Sequence, residues 1–165
     1  MAKKRRKKKP PENLYYEIEV EDWEVYYHFG LAPKNLGRGL YWETSSLTLI
    51  GNILSPELKN ATKAKVDLSA YPQMADHWAT KPTILSAKGV GFMEIPRGEV
   101  VLQCRCSIPP RLSNNIHVAI ASGKIKYVSI FGEKLKWRKG LIFDISLSAE
   151  SEEDIRSSVI FLLLF

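Results

Sequence analysis

The chain has 165 residues, the size of one domain that buries roughly 70% of its unfolded surface, so folding requires neither disulfides nor metal. Its formal charge of +6 is unevenly placed: residues 3–9 (KKRRKKK) hold seven of 24 basic residues, leaving 17 against 18 acidic ones and a body near −1. That excludes a basic globular DNA-binding domain, and no run approaches the ~20 apolar residues that cross a bilayer.

Residues 1–13 are expected to be disordered, because like charges repel and Pro10-Pro11 stops a helix from propagating into the domain. Lys3, Lys4, Arg5, Arg6, Lys7, Lys8 and Lys9 read as a phosphate-binding arm or nuclear import signal, or as a solubilising tail. No apolar segment follows them, so no secretory signal is read and a soluble, intracellular protein is expected, cytoplasmic, or nuclear in a eukaryote.

Residues 14–20 alternate with Leu14, Tyr16, Ile18 and Val20 on one face; residues 23–29 alternate with Trp23, Val25, Tyr27 and Phe29 in phase. The phase flips across Glu21-Asp22, which means a tight hairpin or a bulge, and the hairpin pairs Val20 with Trp23 and Ile18 with Val25. Residues 12–24 carry six acids and no base, a strip onto which the basic tail can fold back.

Residues 30–39 (GLAPKNLGRG) form a loop that fits neither a P-loop nor a dinucleotide fingerprint. Strands follow at 40–45 and 47–54, with Gly51 a bulge or close approach, and at 62–68, where Ala64, Val66 and Leu68 alternate with Lys63, Lys65 and Asp67. Residues 71–82 show no sustained period. Asp76-His77-Trp78 there is the most enzyme-like trio in the chain, yet adjacent strand side chains point apart and no GxSxG motif accompanies them. A small-ligand or catalytic reading draws on the loops at 30–42 and 71–82, with Arg38, Trp42, Asp76, His77 and Trp78 as its residues.

Residues 83–95, with Gly89 and Gly91, suggest a bent strand. Residues 100–108 read as the cleanest inner strand, with Val100, Leu102, Cys104, Cys106 and Ile108 on one face. The two cysteines read as small apolar side chains rather than a metal half-site or a disulfide framework, and no cofactor is called for.

Residues 116–148 read as a meander of four strands, 116–121, 124–131, 134–138 and 141–148. A Ser122-Gly123 turn joins the first two, a two-residue Gly132-Glu133 turn the next, and a three-residue Arg138-Lys139-Gly140 loop the last. This register puts Trp137, Leu135, Leu141 and Phe143 toward the core, Lys134 opposite Asp144, and a bulge near Tyr127-Val128. Lys124, Lys126, Lys134, Lys136 and Arg138 then share an outer face with Phe131. His117 is a half-exposed strand residue, residues 151–154 start a short helix, and residues 159–165 (VIFLLLF) make a buried strand or a docking peptide.

Short strands at this spacing define an all-β domain over residues 14–165: an antiparallel sandwich, with a jelly roll one form of it, or a closed barrel. The function expected is a non-enzymatic interaction module that docks a protein partner or self-assembles, with no membrane role. The alternative is nucleic-acid association through the tail and the basic 124–138 face, in one version a capsid-like jelly roll with a basic arm.

Overall fold

The computed structural model describes residues 12–31, 41–70 and 89–151. Seven strands and one helix occupy them: β1 (Asn13–Leu31), β2 (Tyr41–Ser55), β3 (Lys63–Ala70), β4 (Gly91–Glu94), β5 (Val101–Ile108), α1 (Pro110–Ala121), β6 (Tyr127–Glu133) and β7 (Lys139–Ser148). The strands close on themselves in the order β1-β2-β3-β5-β4-β7-β6, with β6 returning to β1. The fold is therefore all-β, and of the two architectures that the pattern allowed, the closed barrel forms rather than the sandwich or jelly roll. All neighbours are antiparallel except β3 and β5, a parallel pair joined by a crossover that contains β4.

Period-two alternation fills the interior as the sequence implied. Ala64, Val66 and Leu68 point inward from β3, and Leu102, Cys104, Cys106 and Ile108 from β5. They meet Tyr16, Ile18, Leu47, Leu49, Met93, Val128, Ile130 and Ile142 in one core. In such a small barrel side chains occupy the whole interior, so truncating Leu102 to Ala should cost about 2–5 kcal/mol. Val100, assigned to the same inner face, precedes β5 and is exposed.

The phase flip at Glu21-Asp22 is a bulge, not a hairpin. β1 runs on through it, and its register against β2 shifts between Val20, opposite Gly51, and Asp22, opposite Ile50. One inserted residue keeps both apolar runs on the core side of the sheet: Tyr16 and Ile18 are buried before it, and after it Val25, opposite Leu47, packs on the core while Trp23, opposite Leu49, stays partly exposed. Gly51 makes this possible, since a Cβ there would sit 2.0 Å from the Glu19 carbonyl oxygen. Likewise β2 is one strand where two were expected.

Residues 110–121 are helical, which corrects the strand assigned to 116–121. Pro110 takes the first helical position, where a missing N–H costs nothing. Ser113, Ile116 and Ile120 recur at helical spacing and turn toward the core. Ser122-Gly123 is the helix end rather than a hairpin turn. Gly123 adopts φ +71°, its N–H bonds to the Ile120 carbonyl and that of Lys124 to Ala119, the Schellman arrangement. α1 packs on β2 and β3 at one end of the barrel.

The β6–β7 connection also departs from expectation. Val128 pairs with Leu147 and Ile130 with Ile145, so Gly132-Glu133 continues β6 rather than turning. The tight turn is Trp137-Arg138, both at positive φ (54° and 69°), flanked by reciprocal bonds between Lys136 and Lys139. Tertiary bonds offset this local strain: Arg138 donates from its guanidinium to the carbonyls of Ile95 (2.7 Å), Pro96 (2.7 Å) and Glu99 (2.9 Å), and its own carbonyl accepts the Ile95 N–H. Trp137, expected in the core, is 89% exposed. Leu135 does pack against the core, whereas Phe143 lies against Phe131 at 6.0 Å between ring centroids. Asp144 faces Phe131, and Lys134 instead pairs with Glu12 at 3.0 Å. The shift near Tyr127-Val128 is not seen; β6 slips instead between Phe131 and Gly132.

Candidate binding surfaces

Strand lengths create the first surface. β6 pairs with β1 only from Asn13 to Glu19, and β3 pairs with β2 only as far as Ser45, yet β1 and β2 stay paired out to Leu31 and Tyr41. From Asp22 onward no described strand pairs with the other edge of β1, and from His28 on, where β2 has also left β3, β1 and β2 form a two-stranded ribbon. On that side the Val20 N–H donates to the Lys126 carbonyl at 2.7 Å, just before the bulge.

The bulge decides what this stretch of β1 displays. Its core-side face carries Trp23, Val25, Tyr27 and Phe29, with Tyr27 62% and Phe29 72% exposed. The opposite face carries Asp22, Glu24, Tyr26 and His28 in continuation of Glu17 and Glu19, so acids of odd and even number fall on one side. Tyr26 there is 60% exposed. Glu21, at the bulge, accepts from Asn52 (2.6 Å) and from Lys63, and those bonds hold its carboxyl below the usual range. Asp22 accepts the Trp23 N–H at 2.8 Å. Tyr27 reaches α1, where its hydroxyl meets His117 Nδ1 at 2.5 Å with the rings edge to face. Burial lowers the His117 pKa, and its Nε2 is buried with no partner. It is a half-buried helix residue, not one on a strand.

The second surface lies on the outer side of the β2-β3-β5-β4 sheet. Ser46, Asp67, Ser69, Phe92, Arg105 and Ser107 line an open groove of about 370 Å³. Its charged groups are largely engaged within the sheet: Thr48 donates to Asp67 at 2.7 Å, and Arg105 stacks over Phe92 at 5.6 Å while reaching Gln103 at 3.3 Å. Cys106 borders the groove, but burial pushes its thiol up to about 12, so it carries no thiolate at neutral pH. The same burial pushes the Cys104 thiol higher still. Among the described residues no group of three or more His, Cys, Asp or Glu is placed to hold a metal.

The candidate nucleic-acid residues are not brought together. Lys124 and Lys126 lie in the connection before β6, whereas Lys134, Lys136 and Arg138 follow its end; seven strand residues separate the groups, about 20 Å. Arg138 serves the backbone of residues 95–99. Phe131 does face outward, packed on Tyr15 at 4.8 Å. Lys3, Lys4, Arg5, Arg6, Lys7, Lys8 and Lys9 lie outside the described residues, as do Arg38, Asp76, His77, Trp78, the side chain of Trp42, and the segments 152–154 and 159–165. Also outside them is most of the loop at 30–39.

The sequence left a hairpin and a bulge open at Glu21-Asp22, and the exposed edge went unread because the hairpin hides residues 23–29 against their own neighbours. One signal pointed the other way: Glu-Asp lacks the glycine that a two-residue turn favours, while a bulge accounts for the phase flip with one insertion. Comparison with protein-family models, curated proteins and solved structures found no match for this chain. No described helix is long and apolar enough to cross a membrane.

Proposed function

We propose that this protein is a non-enzymatic binding module that docks a protein partner along the open edge of β1, taking up an extended segment of that partner as an added strand. One observation carries the reading: β1 outruns β6, and the stretch beyond has an edge with no described strand beside it. The side chains support it. Tyr26 and Tyr27 combine large apolar area with a polar end, the composition favoured at interface centres. Nothing between Asp22 and Leu31 is Lys or Pro, the residues that commonly protect an edge.

The test is selection of extended peptides from a displayed library on the immobilised full-length protein. Selected peptides should slow amide exchange from Trp23 to His28, and Tyr26→Ala should weaken them about tenfold or more. Failure to select any peptide, or selection of peptides indifferent to Tyr26→Ala that leave β1 unprotected, overturns the reading.

Nucleic-acid association is the alternative, and the seven consecutive bases at 3–9 favour it. Binding to single- and double-stranded nucleic acid across salt, for the full chain and for one beginning at Asn13, measures it. Affinity confined to the full chain assigns it to the tail, and no affinity in either at low salt ends that reading.

A further inference from the structure

We infer that the first occupant of the β1 edge, beside which no described strand lies, is a second copy of the same chain, paired antiparallel about a two-fold axis at Tyr26. The inference rests on the edge being a docking element and adds the identity and register of what docks.

Charge placement along the edge carries the argument. Glu21, Asp22 and Glu24 stand toward one end of this edge and His28 toward the other. A parallel arrangement in register sets each acid beside its own copy, a like-charge pairing that destabilises. An antiparallel arrangement brings the acidic end of one copy to the histidine end of the other. Its registers are few, because a two-fold axis normal to the sheet leaves a residue facing itself or facing one of the same parity. Centring on Glu24 or earlier opposes acids to acids. Centring on Val25 sets Asp22, which the Trp23 N–H holds against its own strand beside the bulge, next to His28 and leaves the exposed Glu24 beside Tyr26. Centring on Tyr26 sets the exposed Glu24 against the second copy's His28 twice over, Val25 against Tyr27, and Tyr26 against itself. Isologous pairing of this kind closes after two copies, so it satisfies the edge without opening a fibre.

Sedimentation of the full-length protein over a wide concentration range tests this. The mass should rise from 18.8 kDa to twice that value. His28→Glu, which opposes two exposed acids across each symmetric contact, should weaken association about tenfold. Combining it with Glu24→Lys places opposite charges across the contact and should recover the association. Circular dichroism confirms that each variant is folded. A mass of one chain at every concentration overturns the inference, as does a dimer indifferent to His28→Glu or one not rescued by the second change. If the protein is monomeric while selected peptides still protect residues 23–28, only the identity of the occupant fails; if neither holds, the edge is not a docking element.

Discussion

Gly51→Ala should be among the most damaging small substitutions in this barrel. The added Cβ would lie 2.0 Å from the Glu19 carbonyl oxygen, 2.8 Å from the Glu19 carbonyl carbon and 3.1 Å from Ile18 Cγ2. The two nearest atoms are main chain, so no side chain can swing away, and β1 must retreat by roughly 1.4 Å to restore ordinary contact at 3.4 Å. Overpacking of this kind costs about 1–3 kcal/mol, and the upper end applies because both strands are tied to further neighbours on each side. For a domain of this size about 3 kcal/mol lowers Tm by about 6–12 °C. Urea unfolding followed by tryptophan fluorescence gives the free energy, and amide exchange shows where it is lost, with residues 22–28 beyond the bulge affected most. Gly123→Ala is the internal comparison. Gly123 has φ +71°, and a methyl group added there would meet no atom within 4 Å, so only the left-handed conformation is penalised, at about 1 kcal/mol. A Gly51→Ala change within about 0.5 kcal/mol of wild type, or smaller than Gly123→Ala, would refute the close-approach account of the bulge.

Other outcomes follow from the same contacts. Trp137→Asn should stabilise by about 0.5 kcal/mol, because it removes an exposed aromatic from a positive-φ turn position that Asn tolerates; a loss of about 3 kcal/mol or more would mean the tryptophan is a core residue after all. Arg138→Lys should cost about 2 kcal/mol in urea unfolding, since an ammonium cannot reproduce three guanidinium bonds to Ile95, Pro96 and Glu99, and filter binding should show nucleic-acid affinity unchanged. Stability should fall as pH rises above the ordinary thiol value of about 8.5. The folded chain keeps the Cys106 proton up to about 12 while the unfolded chain releases it, a loss of about 1.4 kcal/mol per pH unit per thiol. Urea midpoints between pH 8 and 9.5 measure the slope, and a Cys106→Ala variant with the same slope as wild type would exclude this cause.

The alternating segments at 63–70 and 101–108 could be read directly, because an inward-facing strand residue must be apolar wherever the barrel is filled, and neither segment contains a competing period. All-β class and the burial of both cysteines came from the same logic. The candidate surfaces were much less legible. Residues 116–121 alternate well enough to pass as a strand, and only docking of 110–121 on β2 and β3 lets the 3.6-residue stripe of Ser113, Ile116 and Ile120 win. Trp137 and Arg138 occupy a turn conformation that neither favours locally; the carbonyls at 95–99, more than 35 residues away, hold it there, and no local rule contains them.

By itself, then, the sequence determined which segments alternate, that both halves of β1 have one apolar face, and that the charge resides in the tail rather than the body. Only the tertiary structure decided that those halves join through a bulge, that the pairing with β6 ends at Glu19 while β2 continues, and that an edge lined with Tyr26 and Tyr27 results, with no described strand beside it. Alternation is a property of each residue and its neighbours in the chain. The partner of a strand, and the point at which that partner stops, depends on segments more than a hundred residues away.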